Sequence, residues 1–524
     1  MKKKIISVLL ATILIFSAIA PAASAVGEAK PVYPVVYITG YGPNIFAVKG
    51  DQTSEIYWPT SEDLGAILKE AIGPCLKELA VALVTDDFSK YCDELYKAIH
   101  PIYEDISLAP DGMPKDASGR GENPNHIFLM YDKYTGGDES FPYDWRLSPE
   151  YSATELSTFV DTMIRETGAP KVNIVARCLG GNVLSAYLQN DPNAVNKVET
   201  AVFYIPSTEG IGLFGQLFSG KLDITADNLN TYVEELVKYQ TLVDDPAVQD
   251  FLIVLISILE QIKFLSLAES AFEKLIDEIG SNLIPRIIRR SYGSFPSFWS
   301  MVPAEDLETA IEYVYNTPEL KEEYAGTIEK ARHYRDNVQL NARKKIQELS
   351  DKIDIKVISK YNIPLMPIIP DCDKNSDGTA ETVYTSFGAT VSDFGKTLPA
   401  DYIASMPEAN KKYLSADEQI DASTCVLPDE TWFIKNSYHD HFPASIDKLI
   451  DTMLLTDMDV FSNPEYPQFL EDTGAEKLVP VTEKDEVRPD DNSFEGIIAL
   501  FKRFIASMIE IFKKLFNSVP QNAA

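Results

Sequence analysis

Short β-branched runs, helical stretches and polar loops alternate along this chain. Val32–Thr39, Ile127–Tyr131, Val172–Val175 and Val198–Ile205 have strand length and are too continuously apolar for a sheet wetted on one face. Ser61–Ile106 and Glu155–Ile164 show helical spacing between them, and a loop rich in Pro, Gly and Asp fills 109–125. This succession predicts an α/β fold, a mostly parallel sheet with helices on both faces.

From Ser207 to about Leu349 the pattern turns helical, which predicts a helical cap inserted into the sheet domain. Its most apolar part, Phe251–Leu259, is ended by Glu260 and Lys263 well short of a membrane span. Strand character returns at Lys356–Ser359, Ile363–Ile369 and Trp432–Ile434. The segment 477–493 is charged and proline-bearing and reads as a linker. In 494–516, Ile497, Phe501, Phe504, Met508, Ile511 and Leu515 follow a 4-3 spacing, beside Lys502, Arg503, Lys513 and Lys514. Such a basic amphipathic helix suits contact with a membrane surface; docking on its own body or self-association fits the pattern equally.

The expected organisation is a leader (1–25), a first part of the sheet domain (26–206, with a helical insertion at about 61–106), the cap (207–349), a second part of the sheet domain (350–476), the linker (477–493) and the C-terminal helix (494–524). The leader has the basic Lys2-Lys3-Lys4, the apolar Ile5–Ala20 and an Ala23-Ser24-Ala25 cleavage site, the layout of a bacterial signal peptide. A secreted or cell-surface address follows. A formal net charge of -32 argues against nucleic-acid partners. Five cysteines allow Cys75–Cys92 and Cys372–Cys425 bridges with Cys178 left free, and a chain without disulfides remains equally open.

Cys178 stands where chemistry is expected. Val172–Val175 runs into Ala176-Arg177-Cys178-Leu179-Gly180-Gly181, and Val183, Leu184, Tyr187 and Leu188 follow at helical spacing. This is the strand, tight turn and helix of a nucleophile elbow, with a thiol at its apex. A thiol at a helix N-terminus beside a histidine is an activated nucleophile. Gly40-Tyr41-Gly42, after the first strand, suits an oxyanion-binding turn with Tyr41 and Leu179 offering backbone amides. The required order of nucleophile, acid and base leaves His439 or His441 as base, out of five histidines, since only these follow the second block of strands. Asp377, in a loop after a strand, is the acid candidate. Asp373-x-Asn375-x-Asp377-Gly378 also matches half of a calcium loop, but its twelfth position is Tyr384, which cannot supply the closing carboxylate.

These motifs together resemble the lecithin:cholesterol acyltransferase family of α/β-hydrolases. Phe141-Pro142-Tyr143-Asp144-Trp145-Arg146 resembles its Pro-Tyr-Asp-Trp-Arg signature, Val172–Gly181 its elbow, Asp377-Gly378-Thr379 its acid loop and Ser294–Pro303 the segment closing its cap. Lys435–His439, with Phe442 following, is similar to its base loop and selects His439 over His441. The resemblance spans about Val32 to Leu455, by motif rather than continuous identity. The family's Gly-His-Ser-x-Gly is replaced here by Ala176-Arg177-Cys178-Leu179-Gly180. A cysteine at this place resembles dienelactone hydrolases and polyhydroxyalkanoate synthases.

The resemblance implies an α/β-hydrolase fold and acyl transfer from a lipid or other acyl ester, with Cys178 as nucleophile, Asp377 and His439 completing a triad, and no metal or organic cofactor. The competing expectation is a catalytically silent protein of the same fold that holds a lipid or a surface partner. Oligomeric state is not legible.

Overall fold

Successive side chains of the central strands enter two different cores, which is why these runs lack a polar alternation. Eight strands form the main sheet: β1 (Val35–Ile38), β2 (Glu139–Ser140), β3 (Val172–Arg177), β4 (Val198–Tyr204), β5 (Asp354–Tyr361), β6 (Thr431–Lys435), β7 (Phe469–Asp472) and β8 (Leu478–Pro480). Their spatial order is β8-β7-β6-β5-β4-β3-β1-β2, with β1 to β7 parallel and β8 antiparallel to β7. The computed structural model describes residues 29–41, 44–49, 52–57, 74–75, 77–104, 107–115, 127–128, 139–141, 143–223, 274–275, 277–366, 368–473 and 477–482.

Val36, Ile38, Ile174, Ala176, Ala201, Phe203, Ile355 and Val357 face one core. Tyr37, Val175, Val202, Tyr204, Ile358, Trp432 and Ile434 face the other. Helix α1 (Pro149–Thr167) lays Ala153, Leu156, Val160 and Met163 on the first core, joined there by α2 (Leu179–Asn190). Ser148 caps α1 by accepting from Tyr151 N at 3.2 Å, Pro149 opens it, and Gly168 ends it in the left-handed region. Each fully buried side chain such as Leu156 contributes roughly 1.5–3 kcal/mol of burial free energy.

The described residues of the inserted region hold helices, including α3 (Gly212–Phe218), α4 (Ile284–Arg290), α5 (Leu307–Val314) and α6 (Ala325–Asn337). Phe218, Ile288, Trp299, Val314 and Tyr334 join the same core as Ile174 and Phe203, so these helices are continuous with the sheet domain. Helix α7 (Ala444–Leu455) covers the opposite face with Ile446, Leu449, Ile450 and Met453.

Several expectations need correction. Ile127–Phe128 does not enter the main sheet but pairs with Asn44–Lys49, itself in a hairpin with Gln52–Tyr57. The place beside β1 goes instead to Glu139–Ser140, and Phe141 N donates to Tyr37 O. Among the described residues of Ile363–Ile369 only Ile363–Pro364 is a strand, paired with Asn375–Ser376. The expected linker begins with an edge strand, β8, because Leu478 is buried and Pro480 sits at an edge where its missing N–H costs nothing. All five cysteines are free and buried. The leader, Phe251–Leu259 and the C-terminal helix lie outside the described residues, and no described helix is long and apolar enough to cross a membrane.

Candidate active site

Parallel strands bring loops from distant parts of the chain to one carboxyl edge of the sheet, where open α/β sheets bind their ligands. Tyr41 follows β1, Cys178 follows β3, Asp377 follows β5 and His439 follows β6. The 199 positions between Cys178 and Asp377 (377 − 178) collapse because β4 and β5 lie side by side next to β3.

Cys178 has φ 50° and ψ -121°, a conformation that costs a non-glycine residue roughly 1–3 kcal/mol. The surroundings hold it there. Cys178 N donates to Tyr204 O at 3.1 Å, while its carbonyl accepts from Gly181 N at 2.9 Å and Ser207 N at 3.2 Å. The approach of β1 is so close that a Cβ on Gly180 would lie 2.3 Å from Ile38 O, and one on Gly40 would lie 2.8 Å from Cys178 Cβ and 3.4 Å from its Sγ. Both positions therefore require glycine.

His439 lies between two partners. Its Nδ1 is 2.7 Å from Asp377 Oδ2, and Cys178 is the other group that acts electrostatically on the same imidazole. The other Asp377 oxygen accepts from Thr379 N at 3.0 Å and Ala380 N at 2.7 Å. Both oxygens are thus engaged. Asn375 is committed too, to Gln419 and the Asn362 N–H, so the half calcium loop has its side chains turned to other work.

Burial alone would lower the His439 pKa, but the Asp377 carboxylate and Cys178 outweigh it and hold the imidazolium well above its ordinary range. Burial pushes Asp377 up, yet the His439 charge and the three hydrogen bonds leave it below the usual carboxylate value. His441 is turned elsewhere, with Nε2 3.2 Å from Asp472 Oδ2. The structure thus sets His439, not His441, against Asp377.

The two amide candidates are also placed. Leu179 opens α2, so its N–H finds no acceptor within the helix. Tyr41 follows Gly40, where a Cβ would meet the Cys178 side chain, and its ring packs edge-on against Trp145 at 4.7 Å and Phe298 at 5.4 Å. Tyr143 braces this turn by donating its hydroxyl to Thr39 O at 2.6 Å. Asp144 and Arg146 form a closed pair at 2.7 Å, and Arg146 O accepts from Ser297 N at 3.4 Å. The Phe141–Arg146 motif therefore links the Tyr41 turn to the segment Pro296–Trp299 of the inserted region.

Three residues near the site escape sequence reasoning. Asn182, one turn into α2, donates to Ser300 Oγ at 2.9 Å and accepts from Ser207 Oγ at 2.9 Å, fastening the elbow helix. Glu381 accepts from Gly212 N at 2.8 Å, and burial pushes its pKa up to about 7. Lys360, fully buried at the end of β5, donates to the carbonyls of Tyr438 and His441. Nothing marks Lys360 in the sequence, since one lysine in an apolar run reads as a snorkelling surface residue.

No protein-family model matches the sequence, and no curated protein is significantly similar to it.

Proposed function

We propose that this chain is an α/β-hydrolase-type enzyme of the kind its motifs resemble, a lipid or ester acyl hydrolase or O-acyltransferase working through a thioester on Cys178. One observation carries the reading: a buried Asp377–His439 pair meets a strained thiol at a strand-to-helix turn. A dedicated nucleophile site holds an off-region conformation because it presents the side chain to substrate.

In the first half-reaction Sγ attacks the ester carbonyl carbon while His439 holds the thiol proton. The amides of Leu179 and Tyr41 stabilise the oxygen that gains charge. Collapse breaks the C–O bond, and the leaving alkoxide takes the proton from the imidazolium. In the second half-reaction water, or an acceptor alcohol, gives a proton to His439 and attacks the thioester, and Sγ leaves with that proton restored. Asp377 holds the ring in one orientation throughout. The apolar inserted helices beside the site and the resemblance together support acyl esters as the substrate class. An exported or surface location, with 494–516 on a membrane surface, is part of the same proposal.

A panel of acyl esters of increasing chain length, offered to the purified protein and to Cys178→Ala, tests this reading. Turnover that disappears in Cys178→Ala is expected. Turnover of every ester that survives the substitution would remove Cys178 from the chemistry.

A further inference from the structure

Lys360 donates to two carbonyls of the base loop, and its surroundings are unusual for a cation. It is completely buried, and its Nζ donates to Tyr438 O at 2.6 Å and His441 O at 2.7 Å. These carbonyls bracket His439 on both sides. An ammonium has three protons; the remaining side of this one meets the rings of Phe442 at 5.0 Å and Tyr204 at 5.2 Å. Arg177, next to the nucleophile, stacks its guanidinium 3.8 Å above the same Phe442 ring. One ring therefore carries two cations, one from the nucleophile turn and one from β5.

We propose that Lys360 is a positioning residue: its ammonium fixes Tyr438–His441 so that the His439 imidazole stays aligned between Asp377 and Cys178. This inference rests on the reading of Cys178 and His439 as a reacting pair. A buried charge is costly unless its hydrogen bonds are satisfied, and here main-chain carbonyls of the base loop satisfy it. The register explains how one side chain reaches both ends of the loop. Lys360 sits opposite Ile434 in β6, and the chain leaves β6 one residue later to form the loop.

Charge tunes the clamp. Burial pushes the Lys360 pKa down to about 7, against the attraction of Asp377 in the acid loop, Asp440 in the base loop and Asp472 in β7, and with the repulsion of Arg177. His439 and His441 belong to the clamped loop itself, Tyr438 lends it one of the two carbonyls, and the Tyr204 ring faces the ammonium. Below neutrality the bonds to the loop are charge-assisted and strong; above it they weaken to those of a neutral amine.

The test uses full-length protein and the rate at which iodoacetamide alkylates Cys178, read by peptide mass spectrometry from about pH 5 to about pH 9. Burial raises the other four thiols, which keeps the Cys178 signal distinct. Lys360→Met should slow alkylation about tenfold or more at the acid end, because a misaligned imidazole no longer activates the thiol. The ratio between the two proteins should narrow above neutrality, where the native lysine has itself lost its charge. A purely structural lysine would give the same ratio at every pH, and that result, or equal rates, overturns the proposal. Should Lys360→Met not fold, Lys360→Gln, which keeps a polar head without charge, carries the same comparison. Slow alkylation of Cys178 in the native protein would be a separate result, overturning the underlying reading of the reacting pair.

Discussion

His439 and Asp377 are joined twice. The imidazole Nδ1 lies 2.7 Å from the Asp377 carboxylate, and the His439 backbone N–H donates to the Asp377 carbonyl at 2.8 Å. The first bond orients the ring and the second sets the distance between the two loops. Neither loop can shift alone.

Asp377→Asn keeps the shape of that junction and removes its charge. Turnover of an ester substrate should fall by roughly 10³–10⁴, the cost seen where the orienting carboxylate of a triad is replaced by an amide. The His439 pKa should fall as well, because the Asp377 charge is the largest influence raising it. Titration of the histidine ring by NMR checks the direction; an unchanged value would mean that Asp377 does not hold the imidazolium.

The two loop histidines should differ sharply. His439→Ala should lose several orders of magnitude in turnover, since the base both activates the thiol and protonates the leaving group. His441→Ala breaks a contact with Asp472, 3.2 Å away, and should cost about tenfold or less through loop positioning. The reverse ranking on one ester would move the base role to His441.

Glu381 predicts a pH dependence of stability. Its folded-state pKa of about 7 lies above the ordinary 4.5, so between those values the folded state binds more protons than the unfolded one. Stability is therefore lost as pH rises through that window, by up to about 3 kcal/mol above it. Glu381→Gln can still accept from Gly212 N and has no charge to bury. It should melt higher than the native protein at about pH 8, with the gap closing toward about pH 5. An equal gap at both values would show that Glu381 is not the titrating group.

Gly180→Ala should be destabilising by roughly 1–3 kcal/mol, because the new methyl would meet Ile38 O at 2.3 Å, a backbone atom of a buried strand that cannot turn aside. Urea unfolding measures the loss. Activity should fall with it, since any retreat of β1 moves the Tyr41 turn away from the thiol.

The parts legible in the sequence were those with a local signal. A β-branched run entering Ala176–Gly181 announces the turn at Cys178, and short loops after strands mark Asp377 and His439. The paired runs Asn44–Lys49 and Gln52–Tyr57 have a signal of their own in the intervening Gly50-Asp51, but it is weaker than the glycine turn at 40–42. Glu139–Ser140 has no apolar pattern at all; it becomes a strand only because the edge of β1 is there to pair with it. Lys360 and Glu381 were beyond reach for a related reason. What they touch is set by the register of β5 against β6 and by the start of α3, and neither is written within a few residues of them.

The most direct measurement is a search for the acyl-enzyme itself. Mixing the protein with an activated acyl ester, quenching in acid and reading the intact mass should show one added acyl group, with peptide mapping placing it as a thioester on Cys178. Cys178→Ser should carry the same acyl group as a slower-forming oxygen ester, and Cys178→Ala should carry none. An unmodified Cys178 alongside undiminished ester turnover, or an acyl group that persists in Cys178→Ala, would contradict catalysis through this thiol.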